Sequence, residues 1–134
     1  MKYFTIAELV HSDTAQKRGL NNVPDSVERA ALVALVDNVL DPLREAWGGP
    51  ITVNSGYRSQ AVNKAVGGVS ASQHTKGQAA DITVGSIVDN RRLFQLALDL
   101  KLDFDQMILE NGGVWVHISY KSPKLNRHMA FRQG

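Results

Sequence analysis

The chain of 134 residues contains no cysteine. Disulfides are therefore excluded, and so are thiolate metal sites and cysteine nucleophiles. Any metal must be held by histidine and carboxylate groups. No apolar run approaches the ~18 residues needed to cross a bilayer, so membrane insertion is not expected. Charge of one sign is also scarce. The formal net charge is +2, with 15 Lys and Arg against 13 Asp and Glu. No basic run studded with aromatics is present, which argues against a nucleic-acid partner. The opening stretch MKYFTIAELVHSD has Glu8, His11 and Asp13 where a signal peptide would need an unbroken apolar segment. The expectation is synthesis in the cytoplasm without a leader.

What is present suits a single domain over 1–134: a hydrophobic fraction of 43% and a charged fraction of 21% are ordinary for a globular core. A monomer is expected. Residues 4–19 read as a short amphipathic turn or helix closing at Gly19. Asp25 and Glu28 form a capping-box pattern ahead of the stripe Leu32, Leu35, Val36, Val39, Leu40, Leu43 and Trp47. Pro42 should kink or split that helix, with Asp41 capping the second piece. A strand begins at Ile51, and Ser59 caps a short helix that stops at Gly67 and Gly68. AADITV is a strand. Residues 86–102 form a helix with Leu93, Leu96, Ala97 and Leu100 inward. FDQMILE and VWVHISY flank NGG as a hairpin. The tail from Lys121 looks irregular. The order predicts an α+β fold, N-terminal helices packed on a small, mainly antiparallel sheet.

The chemistry concentrates in His74, Asp81 and His117. Side chains alternate along a strand, so Asp81 points away from Ala80 and Ile82, and His117 away from Val116 and Ile118. Gly77 allows the loop carrying His74 to turn back over Asp81. Taken singly, each residue reads as a hydrogen-bonded core histidine or a strand-start cap. Together they offer two imidazoles, one carboxylate and an open fourth position, the donor set of a catalytic Zn²⁺ site.

Three stretches then resemble one family: SGYRS at 55–59, VGGVSASQHTKGQAADI at 66–82 and FDQMILENGGVWVHISY at 104–120. In this order they are similar to the M15 metallopeptidases, in the branch of zinc D-Ala-D-Ala carboxypeptidases and phage-borne wall peptidases. The opening FTIAELVHSDTAQKRGLNNVP resembles the same branch. The resemblance implies a Zn²⁺ held by His74, Asp81 and His117, a fold shared with the hedgehog signalling domain, and cleavage of D-amino-acid-containing stem peptides of peptidoglycan. Such a protein would reach the wall after release or delivery, as a phage or prophage product does. Carboxypeptidase and endopeptidase both fit.

The family's arginine beside the substrate carbonyl corresponds to Arg58. Several members carry a glutamate three residues before the last histidine, where this chain has Val114. A hairpin pairing Glu110 with Gly113 would set Gln106 opposite His117 and put Gln106, Glu110 and His117 on one face. That makes Glu110 the first candidate for the general base, with Asp105 and then His128 as alternatives. Ser72 and Gln73 could bind substrate or orient His74. Trp115, on the His117 face, could wall the cleft or belong to the core. A second class remains: a catalytically silent zinc-binding module of a phage particle or adaptor, which a fourth protein ligand would mark.

Overall fold

A computed structural model describes residues 1–134. Helices α1 (Ile6–Val10), α2 (Asp13–Arg18) and α3 (Ser26–Leu35) lead into a π-helical segment, Val36–Leu40, and then α4 (Asp41–Trp47). Strand β1 (Thr52–Ser55), helix α5 (Gln60–Ala65), a 3-10 turn at Gln73–Lys76 and strand β2 (Ala79–Thr83) follow. Helix α6 (Ile87–Asp99), the hairpin β3 (Gln106–Glu110) and β4 (Trp115–Ser119), and strand β5 (Met129–Gln133) complete the chain. The five strands form one sheet in the order β1-β2-β4-β3-β5. Every pairing is antiparallel except β3 with β5. The α+β class read from the sequence is the one observed.

The core lies between the helices and one face of the sheet. Ala80 and Ile82 of β2, Met107 and Leu109 of β3, and Val116 and Ile118 of β4 are buried against Leu32, Leu35, Val36, Val39 and Leu93. Strand alternation sends the intervening residues to the opposite, open face. Asp81, His117, Ile108 and Phe131 form one cross-strand row there, and Thr83, Trp115, Glu110 and Gln133 the next.

Several local expectations are corrected. Residues 4–19 are two helices, because Ser12 leaves the helix and caps α2 through Ala15 N–H. The capping box at Asp25 and Glu28 is present. Pro42 neither kinks the chain out of helix nor needs a new cap. The preceding turn widens to a π-helix, in which Asp41 N–H reaches Val36 C=O; a proline has no N–H and crowds the carbonyl four residues back. The Asp41 carboxylate instead accepts from the N–H groups of Lys2 and Tyr3. Leu100 lies past the end of α6 and is 40% exposed. The tail is not irregular throughout, since β5 pairs with β3.

The hairpin register also differs. Glu110 pairs with Trp115 and Ile108 with His117, and Asn111, Gly112 and Gly113 all take positive φ in the turn. The shift from the expected pairing is two residues. An even shift preserves which side chains share a face, so Gln106, Glu110 and His117 remain together, although Gln106 now lies beside Ser119 through its N–H and the serine hydroxyl.

Candidate metal centre and its cleft

Antiparallel pairing sets Asp81 directly opposite His117. The two meet with His117 Nδ1 at 3.0 Å from Asp81 Oδ1. His74 Nε2 lies 3.3 Å from the same oxygen. All three donor atoms fall within 4.8 Å of one another. Ligands on a tetrahedron with radius of about 2.0–2.1 Å stand about 3.3 Å apart, a spacing that these three donors fit. The group comprises these three residues alone, leaving a fourth position without a protein ligand. Its surroundings are nearly dry: the side chains of His74, Asp81 and His117 are 3%, 18% and 14% exposed.

The loop that delivers His74 is held at several points. Ser72 caps the 3-10 turn, its hydroxyl oxygen accepting from His74 N–H and its carbonyl accepting from the Thr75 hydroxyl. Gly77 ends the turn with φ +72°, and a Cβ there would collide with the Glu28 carbonyl oxygen. Arg58 N–H donates to His74 C=O at 3.0 Å. Most directly, His74 Nδ1 lies 2.7 Å from the Gly56 carbonyl. A carbonyl only accepts, so Nδ1 carries the proton and the Nε2 lone pair is free to face the metal. The sequence reading placed Gly56 inside SGYRS without seeing this role, which depends on a contact across eighteen residues.

Burial pushes the Asp81 carboxyl up, but the two imidazoles that face it, His117 first and then His74, outweigh that cost and leave the group well below the usual carboxylate range. It is therefore an anion ready to bind a cation. Arg58 borders the same carboxylate in a cleft of about 300 Å³ shared with His11, Asp13, Asn54 and Ser55. Burial lowers the guanidinium's affinity for its proton, and Asp81 partly restores it. Its Nε is buried without any hydrogen-bond partner. A buried donor left open at the edge of a cleft is costly unless something binds there.

Glu110 sits one pleat away from His117, on a strand diagonal of about 7–8 Å. Burial raises its pKa, with His117 pulling it down and Asp81 pushing it up. The carboxylate therefore lies within the electrostatic reach of the donor cluster without being a member of it. Trp115, cross-strand from Glu110, is half-buried, with its indole N–H unpartnered. On the other side of His117, Ser72, Gln73 and Gln106 line a second cleft.

Two alternative bases are removed. Asp105 is fully buried, clamped by Arg127 through Nε at 2.9 Å and a terminal nitrogen at 2.8 Å, and by the Gln73 amide at 2.9 Å. Arg127 leads in holding its pKa down at about 2. Such a group anchors its neighbours and takes no proton at neutral pH. Gln73 accordingly spends its amide N–H on Asp105. His128 pairs with Asp103 at 2.6 Å in a separate groove beside Leu98 and Phe104.

Comparison with known proteins agrees with this geometry. A family model described as Peptidase M15 matches residues 2–119. The zinc D-Ala-D-Ala carboxypeptidase of Streptomyces albus G is 44% identical over 85 residues, which cover 62% of this chain and 32% of that protein. The shared region thus spans about a third of the relative's length. With His74, Asp81 and His117 all inside the matched region and brought together by its fold, the chain belongs to the M15 peptidase family.

Proposed function

We propose that the protein is a zinc-dependent peptidase that hydrolyses D-amino-acid-containing stem peptides or cross-links of bacterial peptidoglycan. The observation that carries this reading is the three-donor cluster with an unpartnered guanidinium at its edge. The family and the carboxypeptidase relative support the reaction class and the substrate.

His74, Asp81 and His117 would hold Zn²⁺, which would supply Lewis-acid activation of water and of the scissile carbonyl. The chain's own groups do the rest. A peptide running from the Arg58 cleft to the Gln106 cleft passes over the three donors. Arg58 donates to the carbonyl oxygen as negative charge grows there, in a half-buried position where such a donor is most effective. Glu110 takes the proton released as water adds to the carbonyl carbon, then gives it to the amine as the C–N bond breaks. Its raised pKa suits both halves of that task. Trp115 walls the Glu110 side, and Ser72 and Gln73 fix the His74 turn while bordering the substrate with Gln106.

The reading is tested by incubating zinc-loaded protein with defined muropeptides and identifying products by mass spectrometry. A released D-amino acid marks a carboxypeptidase and a split cross-link marks an endopeptidase. Intact muropeptides at full zinc occupancy would favour the silent-module alternative.

A further inference from the structure

The catalytic roles above leave the charged groups on the His117 side of the cleft without an assigned partner. This part encloses about 410 Å³, and its charged lining is Lys76, Lys121 and Arg127, with Gln73 and Gln106 between them. No carboxylate lines it. Three cations gathered around one cleft repel each other, and one of them, Arg127, is held in place from below. Asp105, 0% exposed, accepts two hydrogen bonds from the Arg127 side chain, one from its backbone N–H and one from Gln73. Lys121 Nζ stands 4.0 Å from the same carboxylate, too far for a hydrogen bond. Lys76 has no ion-pair partner. One buried anion thus fixes Arg127, stands 4.0 Å from Lys121 and offsets about one of the three charges, leaving the lysines free to move. Lys121 and Arg127 also lie beyond the residues matched by the family model.

The geometry points to a carboxylate-binding subsite formed by Lys76, Lys121 and Arg127 on the His117 side of the metal centre. It rests on the peptidase reading, because its ligand is a carboxylate of the peptide being cleaved. Arg127, pre-set by Asp105, supplies directional donors, and the two lysines supply mobile charge. His117 is one wall of this cleft, so the carboxylate belongs to a residue close to the scissile bond. Two sources share that chemistry: the terminal carboxylate of the leaving residue, or a side-chain carboxylate on the acyl side.

The test uses zinc-loaded full-length protein and a synthetic peptide ending in D-alanyl-D-alanine, with an acidic residue on the acyl side. It is prepared in three forms: both carboxylates free, the terminus amidated, and the side chain amidated. One amidation should lower kcat/KM by about ten- to a hundredfold, as loss of hydrogen bonds to charged groups does, and the form affected identifies the source. Lys121→Gln and Lys76→Gln should each shrink that preference by about tenfold, while Lys124→Gln, outside the cleft, should retain it. Arg127 is spared because it also secures Asp105. Equal processing of the three forms, or a preference that survives both lysine substitutions, overturns the subsite. If no form is cleaved, the peptidase reading fails, and the subsite is decided by calorimetric binding of the same three peptides, where equal affinities reject it.

Discussion

The Gly56 carbonyl receives the Nδ1 proton of His74 at 2.7 Å, and that one contact determines which nitrogen of His74 is left for a metal. Gly56 can approach so closely only because it lacks a Cβ, which would collide with the Leu9 carbonyl oxygen. Gly56→Ala should therefore shift the carbonyl and weaken zinc binding by about ten- to a hundredfold, the usual effect of losing a partner behind a metal ligand. A competition titration against a chromogenic chelator measures this. Unchanged affinity would mean that the ring is oriented by the 3-10 turn alone.

The ligand set makes a separate prediction. Wild-type protein should carry about one Zn²⁺ per chain. His74→Ala, Asp81→Ala and His117→Ala should each remove it, as read by metal analysis after dialysis. Full occupancy in Asp81→Ala would take the carboxylate out of the site.

Arg58→Ala should retain zinc and fold, and lose roughly 10² or more in turnover, because a donor aimed at the developing oxyanion is gone. The substitution also removes a buried, unpartnered Nε, so thermal stability should not fall in step with activity. Arg58→Lys should recover little if planar, forked donation matters. Wild-type kinetics in both variants would return Arg58 to a purely structural place beside Asp81.

These sites were legible to different degrees, for physical reasons. Asp81 and His117 could be placed on one open face because strand alternation has a fixed period, and a register error of two residues leaves that face unchanged. Glu110 survived the same error for the same reason. Asp105 could not be read so well. Its parity correctly set it away from His117, but nothing local announces that Arg127, twenty-two residues later, will clamp it. β5 was missed because all five of its residues are exposed and its order, Met, Ala, Phe, Arg, Gln, carries no apolar–polar alternation; it forms through backbone pairing with β3. The π-helical turn before Pro42 is likewise a tertiary solution: the surrounding core, with Leu35, Val36, Val39, Leu40 and Leu43 all buried, keeps the chain helical where the proline alone would break it.

Asp105 also sets a pH dependence of stability. Its carboxyl is held at about 2 in the folded protein, chiefly by Arg127, below the ordinary value near 3.9. A depressed carboxylate contributes stability that is fully present above the unfolded value and is lost as pH falls through the folded one. The contribution should fade between about pH 4 and pH 2. Asp105→Ala leaves Arg127 and Gln73 without their anchor and should lower stability at neutral pH, with a flatter acid limb in urea unfolding. A wild-type slope in Asp105→Ala between those pH values would assign the acid sensitivity to other carboxylates.

Glu110→Gln addresses the reaction itself. The amide keeps the shape and much of the hydrogen bonding of the carboxylate but cannot accept a proton at neutral pH. Glu110 stands outside the donor cluster, so zinc affinity should remain near that of the wild type. Turnover should drop by roughly 10² to 10⁴, the usual size of a general-base contribution. The pH profile supplies the sharper readout. The base works only when deprotonated, so the acidic limb of kcat/KM should report the Glu110 carboxylate. In Glu110→Gln that limb should vanish from the residual activity or move to another group. Asp105→Asn would not serve as a neutral comparison, because it disturbs the Arg127 clamp. His128→Gln is the suitable one: His128 is paired with Asp103 in a separate groove, and its loss should leave both turnover and the limb intact. Full turnover in Glu110→Gln would assign the proton to another carrier in the cleft, and His11, which borders Arg58 and Asp81, would be the next group to replace.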